Sequence, residues 1–229
     1  MGEFDRELIK QRRTSRLPYN SVPVDYKVLN ELQNIARKFG QKFIFTSQKK
    51  LVDWFVNLNC DTLFYDMNDE RSRDEVGLWI RYSPEDALEK KDGLWSYCMG
   101  FSGIMMYLFF HFRWFFNLPL VNSYVKARYL KSMHGTRTVG WLIGEFNKRD
   151  DWIKSGHMLA RLWLTMTKYG VYMHPFGSII TNDKSHQILQ NKIKVDESVN
   201  TLWLIFRLGY SDVPPRSYRF TVDDIILNG

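Results

Sequence analysis

Near the N-terminus, Arg12-Arg13-Thr14-Ser15-Arg16 places three guanidinium groups and two hydroxyls within five residues. Guanidinium supplies forked donors and a fixed charge, and hydroxyls complete an oxygen shell, so the pattern suits a phosphate. A solvated basic arm, or one touching nucleic acid, has the same composition. A second candidate is the Met173–Ser178 turn, MHPFGS. Pro175 fixes φ and removes a donor, and Gly177 permits close backbone approach. A free N–H in this turn can donate to a heteroaromatic ring nitrogen. His174 is a candidate for proton transfer, against the plainer role of a structural histidine at a strand end. The tail from Gly209 to Arg219 is the third candidate. Arg216 and Arg219 either return to the anion held by Arg12 and Arg16 or belong to an ordinary charged tail.

Other chemistries lack support. No P-loop, strand-following G-x-G-x-x-G or G-x-S-x-G is present. The five histidines, at 111, 134, 157, 174 and 186, share no ligand-like spacing, so no metal site is expected. Cys60 and Cys98 suggest no disulfide framework and read as reduced thiols of a cytoplasmic protein.

These residues need elements to position them. Val28, Leu29, Leu32, Ile35, Ala36 and Phe39 predict a helix after Pro23, stopped by Gly40. Phe43–Phe45 reads as a strand. Leu51, Trp54, Phe55 and Leu58 predict a second helix. Residues 69–82 read as a further helix, broken by Ser83-Pro84. Lys90 to Tyr129 is the least regular part and ends in a basic stretch with Lys126, Arg128 and Lys131. Thr138–Phe146 reads as a buried strand. Ser155 is the expected N-cap of a helix reaching Tyr169, with Gly170 as its stop. Val171–Met173 and Leu202–Phe206 read as strands, with a helix over Ser185–Lys194 between them. Strands alternating with helices indicate an α/β or α+β chain.

Composition bounds the partners. The chain has 229 residues, 45% hydrophobic and 25% charged, ordinary values for a globular protein. That excludes a fibre, a coiled coil and a disordered chain. Aromatic residues reach 16% and net charge is +7. The pair suits a planar anionic ligand: nucleic acid, a nucleotide or a flavin phosphate. The N-terminus has no apolar signal-like region. Gly93–Phe112 has the length of a membrane span, but three glycines, two serines and the nearby Arg113 argue against one. Contact with a membrane surface stays open, because Phe and Trp lie beside basic residues.

Taken in order, these segments resemble the nitroreductase-like FMN-dependent oxidoreductases, and within them the divergent Acg-type branch. RRTSR followed by the proline-started VPVDYKVLNEL resembles the family's opening box and helix. Glu75, Trp79, Arg81, Ser83, Pro84, Asp92, Gly93 and Leu94 match its E-x-x-x-W-x-R-x-S-P…DGL segment. Gly156, Leu159, Arg161, Leu164 and Gly170 match a later helix, and Phe206–Arg219 matches the C-terminal R-x-G-Y…P-R segment. The resemblance covers nearly the whole chain. One departure stands out. Many members carry a Ser/Asn-rich loop between the first helix and the next strand, whereas here Gly40 passes almost directly into QKFIF.

The resemblance implies an α+β fold, with a central, mostly antiparallel sheet flanked by helices. It implies a single domain over residues 1–229, with residues 90–130 inserted as a lid. It also implies FMN at the interface of a homodimer. Arg12, Arg13, Ser15 and Arg16 would lie near the flavin phosphate and ribityl chain. Pro175, Phe176 and Gly177 would lie against the ring, and Arg216 or Arg219 would complete the phosphate site. The implied activity is flavin hydride chemistry, driven by NAD(P)H, on a small apolar or aromatic substrate. An oxidase that returns electrons to O₂, or a flavin-sequestering protein with little turnover, is the alternative. The aromatic 94–118 segment is expected to cap the site, admitting bulky apolar substrates or blocking access. No nucleic acid is expected as a partner.

Overall fold

Apolar alternation dictates the centre of the molecule. The computed structural model describes residues 5–112, 114, 118–195 and 200–226. Four strands form one sheet: β1 (Lys42–Thr46), β4 (Thr138–Gly144), β6 (Thr201–Gly209) and β5 (Tyr172–Pro175), in that order. All three pairings are antiparallel. A two-stranded parallel ladder, β2 (Ile80–Arg81) with β3 (Leu94–Trp95), lies apart from it. Every residue of β4 is buried, as expected of a central strand covered on both faces.

The two faces carry separate cores. Leu142, Phe43, Phe206 and Leu208 face the helices Tyr26–Lys38 and Arg149–Lys168, which contribute Leu29, Leu32, Met158 and Leu162. Val139, Trp141, Ile143 and Ile205 face the opposite layer. There the helices Lys49–Asn68, Gly177–Thr181 and Asp183–Ile193 cover them through Phe55, Ile179 and Leu189. Gly140 lets this packing close. A Cβ there would lie 2.4 Å from the Phe43 ring, which stacks on Phe206 at 5.8 Å. The fold is α+β, a mostly antiparallel sheet between helical layers.

Local signals explain most boundaries. Asp25 accepts from the Lys27 N–H at 2.8 Å and starts the 26–38 helix. Gly40 ends that segment in the left-handed region, at φ 72°. Three expectations are corrected. Ser155 does not cap a helix: the helix begins at Arg149, with the Asp151 carboxylate accepting from the Asn147 and Lys148 N–H groups. Ser155 lies buried inside it, bonded to Gln41 Nε2. The helix expected over 69–82 stops at Leu78, because Ile80 and Arg81 pair with Leu94 and Trp95. Ser83-Pro84 starts a helix over Pro84–Lys90, Ser83 accepting from the Asp86 N–H and proline occupying the first turn.

Among the described residues, the irregular 90–129 stretch holds a 3-10 turn, Ser96–Met99, the α-helix Gly103–His111 and the start of the α-helix Pro119–Ser132, which carries its basic end. Residues 113 and 115–117 of the expected lid fall outside the described residues. No helix among the described residues is long and apolar enough to cross a membrane.

Candidate active site

The N-terminal box is held extended against β5. Thr14 bridges to Met173, and the Ser15 N–H donates to the Met173 carbonyl at 3.2 Å. Ser15 is fully buried, its hydroxyl paired with that of Ser211 at 2.8 Å. Ser15 is therefore a seam residue, and its hydroxyl is already engaged. Arg13 donates to the Pro214 carbonyl at 2.7 Å, which ties the C-terminal tail to the box. Arg216 donates to the Lys10 carbonyl at 3.2 Å. The two chain ends meet through these contacts.

The arginines fall into two groups. Arg12 lies over the Trp163 ring at 4.2 Å. Burial lowers its pKa, and so do the nearby charges of Arg216 and Arg219. Arg16 instead lines a large cavity with His174, Pro175 and Gly177. Burial lowers its pKa as well. Among the described residues no carboxylate pairs with Arg12, Arg16, Arg216 or Arg219. Cations gathered without an acid form a ready anion site.

The cavity measures about 780 Å³, within the range of small-molecule and cofactor sites. Part of its lining, called the floor below, is polar: Arg16, Asn59, Tyr129, Ser132 and His174. The aromatic segment supplies an apolar part of the lining, called the roof below: Leu94, Met99, Phe101, Met106, Phe109 and Phe110. Asp66, Glu75 and Asp183 add carboxylates to the lining.

Phe176 does not join this wall. It is fully buried in the core beneath the sheet, and its N–H donates to the Ile205 carbonyl at 2.9 Å. Neither its ring nor its amide is free for a ligand. That corrects the expectation for Phe176, and Gly177 is the residue of the turn with open space beside its Cα. The shortened connection after Gly40 contributes nothing here. Gln41 is spent on Ser155 and on the Trp203 indole N–H, which it accepts at 2.8 Å.

Beneath the floor lies a charge that sequence reading did not single out. Arg207 is fully buried in β6. Its Nε donates to His174 Nδ1 at 3.2 Å. Its Nη atoms donate to the carbonyls of Ser132, Ser15 and Leu17 and to the Thr136 hydroxyl. Its guanidinium also lies over the Tyr19 ring at 4.2 Å. No carboxylate balances it among the described residues. One charged residue inside the otherwise apolar run LWLIFRLG was the available signal.

Arg207 decides the state of His174. A ring nitrogen that accepts carries no proton, so the neutral imidazole keeps its proton on Nε2. Burial, Arg207 and Arg16 hold the His174 pKa well below the ordinary 6.5. His174 is therefore a neutral hydrogen-bond donor, with no imidazolium proton to give. Stability should fall as pH drops below about 6.5, because the unfolded chain binds a proton that folded His174 refuses. The contribution is complete above that pH and is lost toward the depressed folded value. Urea unfolding at about pH 7.5 and pH 5.5 tests this, since His174→Gln should remove up to about 1.4 kcal/mol per pH unit of slope. Equal slopes in both proteins would remove His174 from the account.

Neither a family model nor a curated protein matches the sequence. Solved structures do match the fold. The FMN- and NADPH-dependent nitroreductase NfnB from Sphigopyxis sp. strain HMH aligns at a TM-score of 0.56, with 13% identity over 96% of each chain. A nitroreductase with bound FMN from Bacteroides fragilis aligns at 0.52, with 12% identity over 99% of this chain and 100% of that one. A putative NADH oxidase from Clostridium acetobutylicum aligns at 0.53, with 11% identity over 97% and 99%. The chain has the nitroreductase fold.

Proposed function

We propose that the protein is an FMN-dependent oxidoreductase of the nitroreductase-like class. The observation that carries this reading is the cavity. It joins an unpaired guanidinium, Arg16, to the Pro175–Gly177 turn under an aromatic roof. The residues present fit the cofactor. Isoalloxazine is flat and rich in acceptors, and the floor offers donors. The phosphate needs cations, and Arg12, Arg216 and Arg219 lie together without an acid. FMN would supply hydride chemistry when bound.

The chain's own residues do the rest. Arg16 binds and orients from the floor, and His174 offers its Nε2 proton as a fixed donor. The Phe101, Phe109 and Phe110 rings exclude water from above, which strengthens each polar contact below. NAD(P)H is the proposed electron donor, and a small apolar or aromatic molecule the proposed substrate. The Acg-type assignment rests on the sequence motifs alone.

A homodimer with FMN at its interface completes the reading. In support, the lid helices expose Ile104, Leu120 and Tyr124, at 77%, 86% and 55% of full accessibility. Large apolar side chains exposed on these helices are candidates for burial by a second copy.

The test is a titration of purified protein with FMN, read by quenching of flavin fluorescence and by co-elution in gel filtration. Saturable uptake, in a particle of twice 27.4 kDa, is expected. No uptake at any flavin concentration overturns the reading. Anaerobic NADPH or NADH should then bleach the bound flavin. The crowded roof favours the sequestering alternative, and bound FMN that neither nucleotide reduces would establish it.

A further inference from the structure

We propose that Tyr129 is a specificity-determining residue of this cavity: its phenol donates a hydrogen bond to an oxygen acceptor carried by an aromatic ligand. This rests on reading the cavity as a substrate chamber. The phenol oxygen is already served. Asn59 Nδ2 donates to it at 2.6 Å, and the Arg16 and Arg207 charges lie close enough to act on it. Asn59 Nδ2 donates to the oxygen, the two arginines act on it only as charges, and none of the three accepts its proton. Among the described residues the Tyr129 hydrogen has no bonded acceptor.

The surroundings direct that hydrogen to a ligand. Tyr129 lines the floor beside Arg16, Ser132 and His174. Ser132 Oγ is turned away, donating to the Tyr129 carbonyl at 2.6 Å. His174 presents Nε2–H, since its Nδ1 is committed to Arg207. The floor is thus a set of donors short of an acceptor. Burial drives the phenol pKa up to about 12, so Tyr129 keeps its proton throughout the working pH range. It acts as a neutral donor and not as an acid.

The ligand class follows from the two kinds of lining. The roof of Phe101, Phe109 and Phe110 favours a flat apolar body. The donors require an oxygen acceptor on the ligand. A hydrocarbon of the same shape would leave the donors unpaired, and a site built around such donors discriminates against ligands that cannot accept from them. Arg16 attracts any anionic acceptor, so the contribution of Tyr129 shows best with an uncharged one.

The probes are acetophenone and ethylbenzene, which match in shape and differ in one carbonyl oxygen. Binding is followed by calorimetry, with wild-type protein and Tyr129→Phe, each with and without FMN. Tyr129→Phe keeps the ring and its edge contact with Phe64, at 6.1 Å between centroids, so the fold should persist. Acetophenone should bind the variant about fivefold to tenfold more weakly, the loss of one hydrogen bond, while ethylbenzene binds both proteins equally.

Equal loss for both probes, or no loss for either, overturns the assignment of Tyr129. Failure of both probes to bind wild-type protein overturns it as well, together with the chamber itself. The flavin reading fails separately, by absence of FMN uptake, and the probe comparison in flavin-free protein still decides Tyr129.

Discussion

Replacing Arg207 by methionine is expected to destabilise the protein by about 3–5 kcal/mol, the largest single-site loss anticipated. Two opposing effects set that number. A buried charge without a carboxylate costs several kcal/mol in desolvation, and methionine would recover it. Against this stand five hydrogen bonds to His174, Ser132, Thr136, Ser15 and Leu17. Bonds to a charged donor contribute about 1.5–3 kcal/mol each, so their loss outweighs the recovered solvation. The stranded acceptors also belong to three separate segments. Ser15 lies in the N-terminal box and Leu17 just after it, Ser132 and Thr136 lie at and after the end of the Pro119–Ser132 helix, and His174 sits on β5.

Arg207 is therefore the pin that holds box, lid root and turn on one sheet edge. In a chain of this size the loss corresponds to a melting temperature lower by about 6–20 °C, read by circular dichroism. Arg207→Lys should not restore it, because an ammonium cannot reproduce the forked geometry. A methionine variant that melts within about 2 °C of wild type would show that the buried guanidinium is dispensable.

Arg16→Ala should act in the opposite direction on stability and strongly on binding. Among the described residues Arg16 has no hydrogen bond or ion pair, although burial lowers its pKa. Removing an unpaired guanidinium relieves desolvation and repulsion from Arg207, so the flavin-free protein should melt no lower than wild type. FMN affinity should fall by about 1.5–3 kcal/mol, roughly 10-fold to 150-fold, the loss of one charge-assisted hydrogen bond. A residue that weakens the apo fold and serves the ligand is the usual mark of a binding site. Unchanged FMN affinity, measured by flavin fluorescence, would remove Arg16 from the cofactor site. A lower apo melting temperature would instead assign it a structural role. The pair of readouts separates Arg16 from Arg207, whose loss should unfold the site together with the sheet edge.

Much of this was legible along the chain. The strands TVGWLIG and LWLIF, and the helix with Leu29, Leu32 and Ala36 on one face, carry periodicities that packing left intact. The aromatic segment was legible as a composition, and Phe101, Phe109 and Phe110 line the cavity. Boundaries fared worse where a distant partner decided them. Residues 79–82 left the helix because β3 offered a ladder, and Ser155 read as a cap although its hydroxyl bonds Gln41 across the sheet.

Among the site residues, types and neighbourhoods were readable, and orientation was not. In the MHPFGS turn His174, Pro175 and Gly177 line the cavity while Phe176 enters the core; Phe176 lies just past the end of β5, so the two-residue alternation of the strand could not have told its direction. The sequence by itself determined the fold class, through hydrophobic period, and the supply of arginines at both ends of the chain. Tertiary structure alone decided which of them meet. Asn59 and Tyr129 stand seventy positions apart, and Ser15 and Arg207 nearly two hundred. Local periodicity carries no information about contacts of that range. They form because each buried donor or acceptor must find a partner once water is excluded, and only the closed sheet brings those partners within reach.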